Sequence, residues 1–143
     1  MILPVLTALV LVLGMVAAAV DMAGGALRQG RARFRQAIAG AAAERGLAES
    51  EVGGWGPAGS ALPVGGRLGL PSITDRPGVV ISCDARRLTG ELWLVRSRSE
   101  VRGAAGQVLA AEERGLVVRL VQDPADSSFR VIPIRRPWNR RAT

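Results

Sequence analysis

Met1–Val20 reads MILPVLTALVLVLGMVAAAV, with no charge and with Thr7 as its one polar side chain. As an α-helix this stretch extends about 30 Å, the thickness of a bilayer's hydrocarbon core. A helix satisfies its own backbone hydrogen bonds in hydrocarbon, so residues 1–20 are predicted to form a single transmembrane anchor. Pro4 falls in the first turn, where its missing N–H breaks no intrahelical bond. Gly14 and Ala18 form a small-xxx-small pair with Ala17 beside it, a face that lets a second helix approach closely. Gly14, Ala17 and Ala18 are therefore the helix-packing candidates, directed at other membrane proteins. A cleaved secretory signal carries a shorter apolar core behind a basic n-region. Here the run is longer and helix-forming sequence follows it, which favours a retained anchor.

Residues 21–52 keep this helical character as an amphipathic stalk. Leu27, Phe34, Ile38 and Ala41 recur at helical spacing and are expected to form a core-packing stripe, while Arg28, Arg31 and Arg35 line another face. Gly24-Gly25, Gly30 and Gly40 each weaken the helix by up to ~1 kcal/mol relative to alanine, and Gly24-Gly25 marks a place for a bend. The arginine face could hold anionic lipid headgroups or a partner, or be a solvated face over the core-packing stripe; the two readings are compatible and the solvated face is the default. Arginines that follow a span without basic residues before it place the next domain in the cytoplasm by the positive-inside rule.

Residues 53–77 are dense in glycine and proline without periodicity and read as a linker, with Trp55 tucked against the domain. From residue 78 to 135 the pattern is β. Strands are predicted at Gly78–Cys83, Glu91–Ser97, Leu116–Val121 and Phe129–Ile134, the first introduced by the turn at Thr74–Pro77. Leu92 and Leu94 alternate with Trp93 and Val95 across the second strand. Pro133 places the strand that holds it at an edge. Glu100–Arg114 allows either a short helix or an extended segment, with the extended form favoured by Gly103 and Gly106. The basic tail, residues 136–143 with Arg135 before it, sets Arg135, Arg136, Arg140 and Arg141 around Trp138 and is a second candidate for lipid or partner contact. The expected fold class is thus α+β: a long N-terminal transmembrane helix and stalk, then a small antiparallel β-sheet domain.

All nineteen basic residues are arginine, against twelve acids, for a net charge of +7 and a pI near 11.6. Lysine-free, alanine- and glycine-rich usage matches a GC-rich bacterial genome. The charge favours anionic surroundings such as lipid headgroups, an acidic partner or nucleic acid. No nucleic-acid module accompanies the tail, which disfavours the last. Histidine is absent, so no Ser-His-Asp or Cys-His arrangement can be built. One cysteine without histidine leaves zinc sites of the common ligand types out of reach. No GxxxxGK[ST] loop occurs, and no GxGxxG stands between a predicted strand and a helix. The expectation is a protein that is not an enzyme and takes no cofactor or metal. Cys83, within Val79-Val80-Ile81-Ser82-Cys83, is expected in the core as a small hydrophobe.

Residues 3–45 resemble the TadE/TadG-like family of tight-adherence (Flp-type) pilus assembly proteins. The resemblance rests on the proline-led span from Leu3-Pro4-Val5, on Asp21 at its end, and on the arginine- and alanine-rich helix Arg31–Ala42. It implies a pilin-like plan, a helical stem and a β-rich head outside the cytoplasmic membrane, and a role as a minor pilin or pilus-assembly component. Local charge implies the opposite side for the head, and both orientations stay open at this point. The functional expectation is a non-catalytic, membrane-anchored structural part of a surface fibre or its assembly machinery. The alternative is a single-pass accessory subunit of a larger bacterial membrane complex.

Overall fold

The computed structural model describes residues 2–52, 55–122, 129–134 and 138–141. The chain divides into two compact units, Met1–Phe34 and Arg35–Thr143. Helix α1, Ile2–Val52, contributes to both. The first unit is the apolar N-terminal part of α1. The second holds the rest of α1, the short helix α2 (Gly56–Ser60) and six strands. The helix is unbroken in hydrogen bonding across Gly24-Gly25 and Gly30. Apolar and alanine-rich sequence on either side outweighs the propensity cost of these glycines.

In the second unit β1 (Arg67–Arg76), β2 (Val79–Thr89), β3 (Leu92–Arg102), β4 (Val108–Gln122) and β5 (Phe129–Pro133) form an antiparallel meander in sequence order. A sixth strand, β6 (Trp138–Arg141), also pairs with β4. The layout is pilin-like: a long apolar N-terminal helix followed by an antiparallel sheet. Two-residue turns join β1 to β2 and β2 to β3. In the first of these Gly78 has φ +81°, a conformation that glycine adopts without steric cost. A Cβ on it would also stand 2.9 Å from the Arg102 carbonyl oxygen.

Strand alternation decides which face is covered. Ile81, Cys83 and Ala85 of β2, Trp93, Val95, Ser97 and Ser99 of β3, and Leu116, Val118 and Leu120 of β4 are buried on one face. Ala39, Ala42, Ala43, Gly46, Leu47 and Ser50 of α1 are buried with them. Full burial of a residue such as Ile81 contributes about 1.5–3 kcal/mol. The opposite face carries alternate residues, among them Val80, Ser82, Asp84 and Arg86 on β2.

Several expectations change in detail. The supposed linker, residues 53–77, contains α2 and the whole of β1. Leu68, Leu70 and Ile73 pack toward the core, and Pro71 is tolerated because β1 is an edge strand with a register shift there. The strands run longer than predicted, and Glu100–Arg114 is extended, forming the end of β3, a turn and the start of β4. The stripe expected to pack the core does not: Leu27 and Phe34 are 64% and 68% exposed, Ala41 is exposed, and only Ile38 packs against the core. The buried stripe lies further along α1 and consists mainly of small residues, with Leu47 among them, because close approach to the sheet at Ala39, Ala42, Ala43 and Gly46 leaves little room for larger ones. The basic tail is also partly a strand. β4 is long and β5 covers only Val118–Gln122, so the same edge at Glu112–Gly115 is open for β6. Pro133 does lie in an edge strand, as predicted. Trp55 is buried, its Nε1 donating a 2.7 Å hydrogen bond to the Ser50 carbonyl.

Candidate membrane and docking surfaces

The first unit presents a continuous apolar surface. Leu9, Val10, Leu11, Val12, Leu13, Met15, Val16 and Val20 are all exposed. An 18-residue window of this helix reaches a mean hydropathy of 2.0, with none of it buried within the chain. This is one N-terminal helix long and apolar enough to cross a membrane, a property that signal sequences share. Gly14, Ala17 and Ala18 are exposed along it, and a Cβ on Gly14 would meet nothing within 4 Å. Arg28 and Arg31 are exposed beyond the span, whereas Arg35, the first residue of the second unit, is half-buried. Arg135 and Arg136 lie outside the described residues. Trp138, Arg140 and Arg141 are placed by their main chain alone, opposite Gly115, Glu113 and Glu112 of β4.

In the second unit a polar seam joins helix and sheet; of its members the sequence singled out only Cys83, which lies in the core as expected. Glu112, buried on β4, accepts a 3.0 Å hydrogen bond from Gln36 Nε2 and bonds of 3.1 and 3.0 Å from Arg114 Nε and Nη2. Arg114 also pairs with Glu44. One buried carboxylate is thereby paired and hydrogen-bonded, the condition under which burial of charge is tolerated. Ser99 Oγ donates 2.5 Å to the Ala39 carbonyl. Cys83 Sγ lies 3.5 Å from the Gly46 carbonyl. Burial pushes the Cys83 thiol above its ordinary pKa, opposed by the neighbouring Ser97 hydroxyl and reinforced by the charges of Asp84 and Glu49. A small-residue repeat at Ala39, Ala42, Ala43, Gly46 and Ser50 was the available sequence signal for this seam. It is easily lost in an alanine-rich chain.

Beside the seam an apolar groove of about 400 Å³ runs along Gly46, Ser50, Trp55, Leu70, Ile73 and Cys83. Ser50 Oγ is committed to the Leu47 carbonyl and Trp55 Nε1 to Ser50, so their donors are already used. Trp55 meets Trp93 edge to face at 5.2 Å, and the Arg87 guanidinium stands 5.9 Å from the Trp93 ring.

The uncovered face of the sheet carries an ionic ladder. Arg96 Nη2 donates 2.9 Å to Asp84, and Arg96 Nη1 stands 3.8 Å from Glu113. Glu100 pairs with Arg98 at 3.1 Å and with Arg102 at 2.7 Å. The Arg102 hydrogen bond, with the charges of Arg102 and Arg98, holds the Glu100 carboxyl below the usual carboxylate range. Hydrogen bonding to Asp84 raises Arg96 further above its already high value. Among the described residues there is no group of three or more histidine, cysteine, aspartate or glutamate side chains placed to hold a metal ion. Each carboxylate of this ladder has an arginine against it, an arrangement that fixes charge in place. Comparison with protein-family models, with curated proteins and with solved structures finds no match to this chain.

Proposed function

We propose that this chain is a non-catalytic, single-pass membrane protein whose β domain makes structural contacts in a pilus-like surface fibre or in its assembly machinery. The observation that carries the membrane part is the exposed apolar helix of the first unit. Leu9–Val20 offers hydrocarbon on all sides, and among the described residues none of the span is buried. Exposure of that much apolar surface to water is strongly unfavourable, and a bilayer or neighbouring apolar helices remove it. Support for the fibre role is the pilin-like layout together with the resemblance of residues 3–45 to the tight-adherence pilus assembly family. In this role Gly14, Ala17 and Ala18 contact neighbouring helices.

The test has two stages. Full-length chain still bearing Met1 is expected to stay with cell membranes through an alkaline wash, and a variant lacking residues 1–20 to be released. Release of the intact chain removes the anchor. Sheared surface fibres and the detergent-solubilised assembly platform are then probed for the chain. Its presence in either supports the fibre role. Its absence from both, with co-purification in another membrane complex, replaces that role with the accessory-subunit one.

A further inference from the structure

We propose that Arg28, Arg31 and Arg33 form a collar that recruits anionic phospholipid headgroups around the first unit; this rests on the membrane reading above. No acidic residue occurs between Met22 and Ala43, a stretch that includes all three arginines. Asp21 precedes Arg28 by two helical turns, about 10 Å along the axis. The next acids on α1 are already engaged, Glu44 with Arg114 and Glu49 with Arg45 at 2.6 Å. All three collar residues are exposed, and among the described residues none has an ion-pair partner. Among the described residues their positive charge is thus left for an external anion.

Geometry selects the source. With the span ending at Val20, Arg28 lies about 12 Å and Arg33 about 20 Å beyond the hydrocarbon edge. Headgroups occupy roughly 5–8 Å outside that edge. Every Cα–Cβ bond of a helix tilts toward its N-terminus, which here is toward the bilayer. Arg28 thus reaches back to the phosphates, and Arg31 and Arg33 lie close enough to act within a Debye length of about 10 Å. At 100° per residue the three positions are spread around the helix axis, so lipid on several sides is engaged. Guanidinium matches phosphate in planar, two-pronged geometry. Polybasic residues next to a membrane span attract anionic lipids in this way.

The test uses the full chain reconstituted in phosphatidylcholine vesicles. Trace phosphatidylglycerol or phosphatidylcholine, spin-labelled on the acyl chain, reports lipids slowed at the protein surface. The expected result is slowed lipid with a preference of about fivefold or more for the anionic label at low salt. The preference is expected to fall to near parity in 1 M salt and in the triple variant Arg28→Gln, Arg31→Gln, Arg33→Gln. The pair Arg67→Gln, Arg86→Gln on the sheet is expected to retain it, which separates the collar from general basicity. Slowed lipid without headgroup preference, or a preference that survives the triple variant or falls with the sheet pair, overturns the collar and leaves the anchor standing. No slowed lipid at all overturns the anchor and the collar together.

Discussion

Ser99 on β3 donates a 2.5 Å hydrogen bond to the main-chain carbonyl of Ala39 in α1, sixty residues away. A helix carbonyl that already accepts from the N–H four residues on has a second lone pair, and Ser99 uses it. Such a bond requires the helix backbone to come close to the sheet, and the buried face of α1 allows it with Ala39, Ala42, Ala43 and Gly46. This seam fastens the sheet to the part of α1 that lies in the second unit.

Gly46 is the tightest point. A Cβ there would stand 2.7 Å from Ile81 Cγ2 and 3.1 Å from Cys83 Sγ, and closer still to Ser97 Oγ. Helix propensity alone favours alanine over glycine by about 1 kcal/mol. Overpacking a close-fitted interior costs about 1–3 kcal/mol and is the larger effect. Gly46→Ala is expected to lower the Tm of the head by several degrees, measured by tryptophan fluorescence in detergent. Adding Ser97→Ala, which removes the nearest atom, is expected to restore part of the loss. A Tm unchanged or raised in the single variant contradicts the close approach.

Glu112 carries the second prediction. Its removal leaves Arg114 with Glu44 alone and Gln36 Nε2 with a longer 3.3 Å bond to the Ala111 carbonyl, so Glu112→Ala is expected to cost about 1–3 kcal/mol in chemical denaturation. Glu112→Gln keeps the shape and an acceptor, and is expected to lose less. Equal losses in the two variants would mean that the carboxylate charge contributes nothing to docking.

The sequence made the architecture legible where one periodicity dominated. Twenty uncharged residues marked the apolar N-terminal helix, and the alternation of Leu92, Trp93, Leu94 and Val95 marked both faces of β3. β1 was hidden because Gly69 and Pro71 are depleted from strands, and only its pairing with β2 at an edge overrides that preference. The docking face of α1 was hidden for the opposite reason. Periodicity highlights large residues such as Leu27 and Phe34, whereas this interface selects for small ones. Glu112 and Arg114 carried no signal in the sequence, since nothing local reveals that β4 turns them toward Gln36 and Glu44.

Glu100 supplies a pH dependence. Its carboxyl pKa is held below the ordinary 4.5 by Arg102 and Arg98. A depressed folded-state value means that stability is fully present above the unfolded pKa and is lost as pH falls through the folded one. The pair is largely solvent-screened, so the effect is small. Wild type is expected to exceed Glu100→Gln in stability at neutral pH, with the difference shrinking below about pH 4.5. A difference that holds constant into acid would show that the ion pairs do not act through ionisation of Glu100.

Cys83 offers a direct readout of whether the head stays closed on its helix. Its thiol is buried against the Gly46 carbonyl, and burial raises its pKa, so both access and thiolate formation oppose reaction. Alkylation at pH 8 is expected to be slow in the folded chain and fast after denaturation. Gly46→Ala weakens the seam that covers the thiol, and is expected to speed labelling in proportion to the stability it removes. Labelling of the native chain as fast as the unfolded one would place Cys83 outside the seam. Labelling that ignores the Gly46 substitution would mean that the thiol is reached through the neighbouring apolar groove, without the helix leaving the sheet.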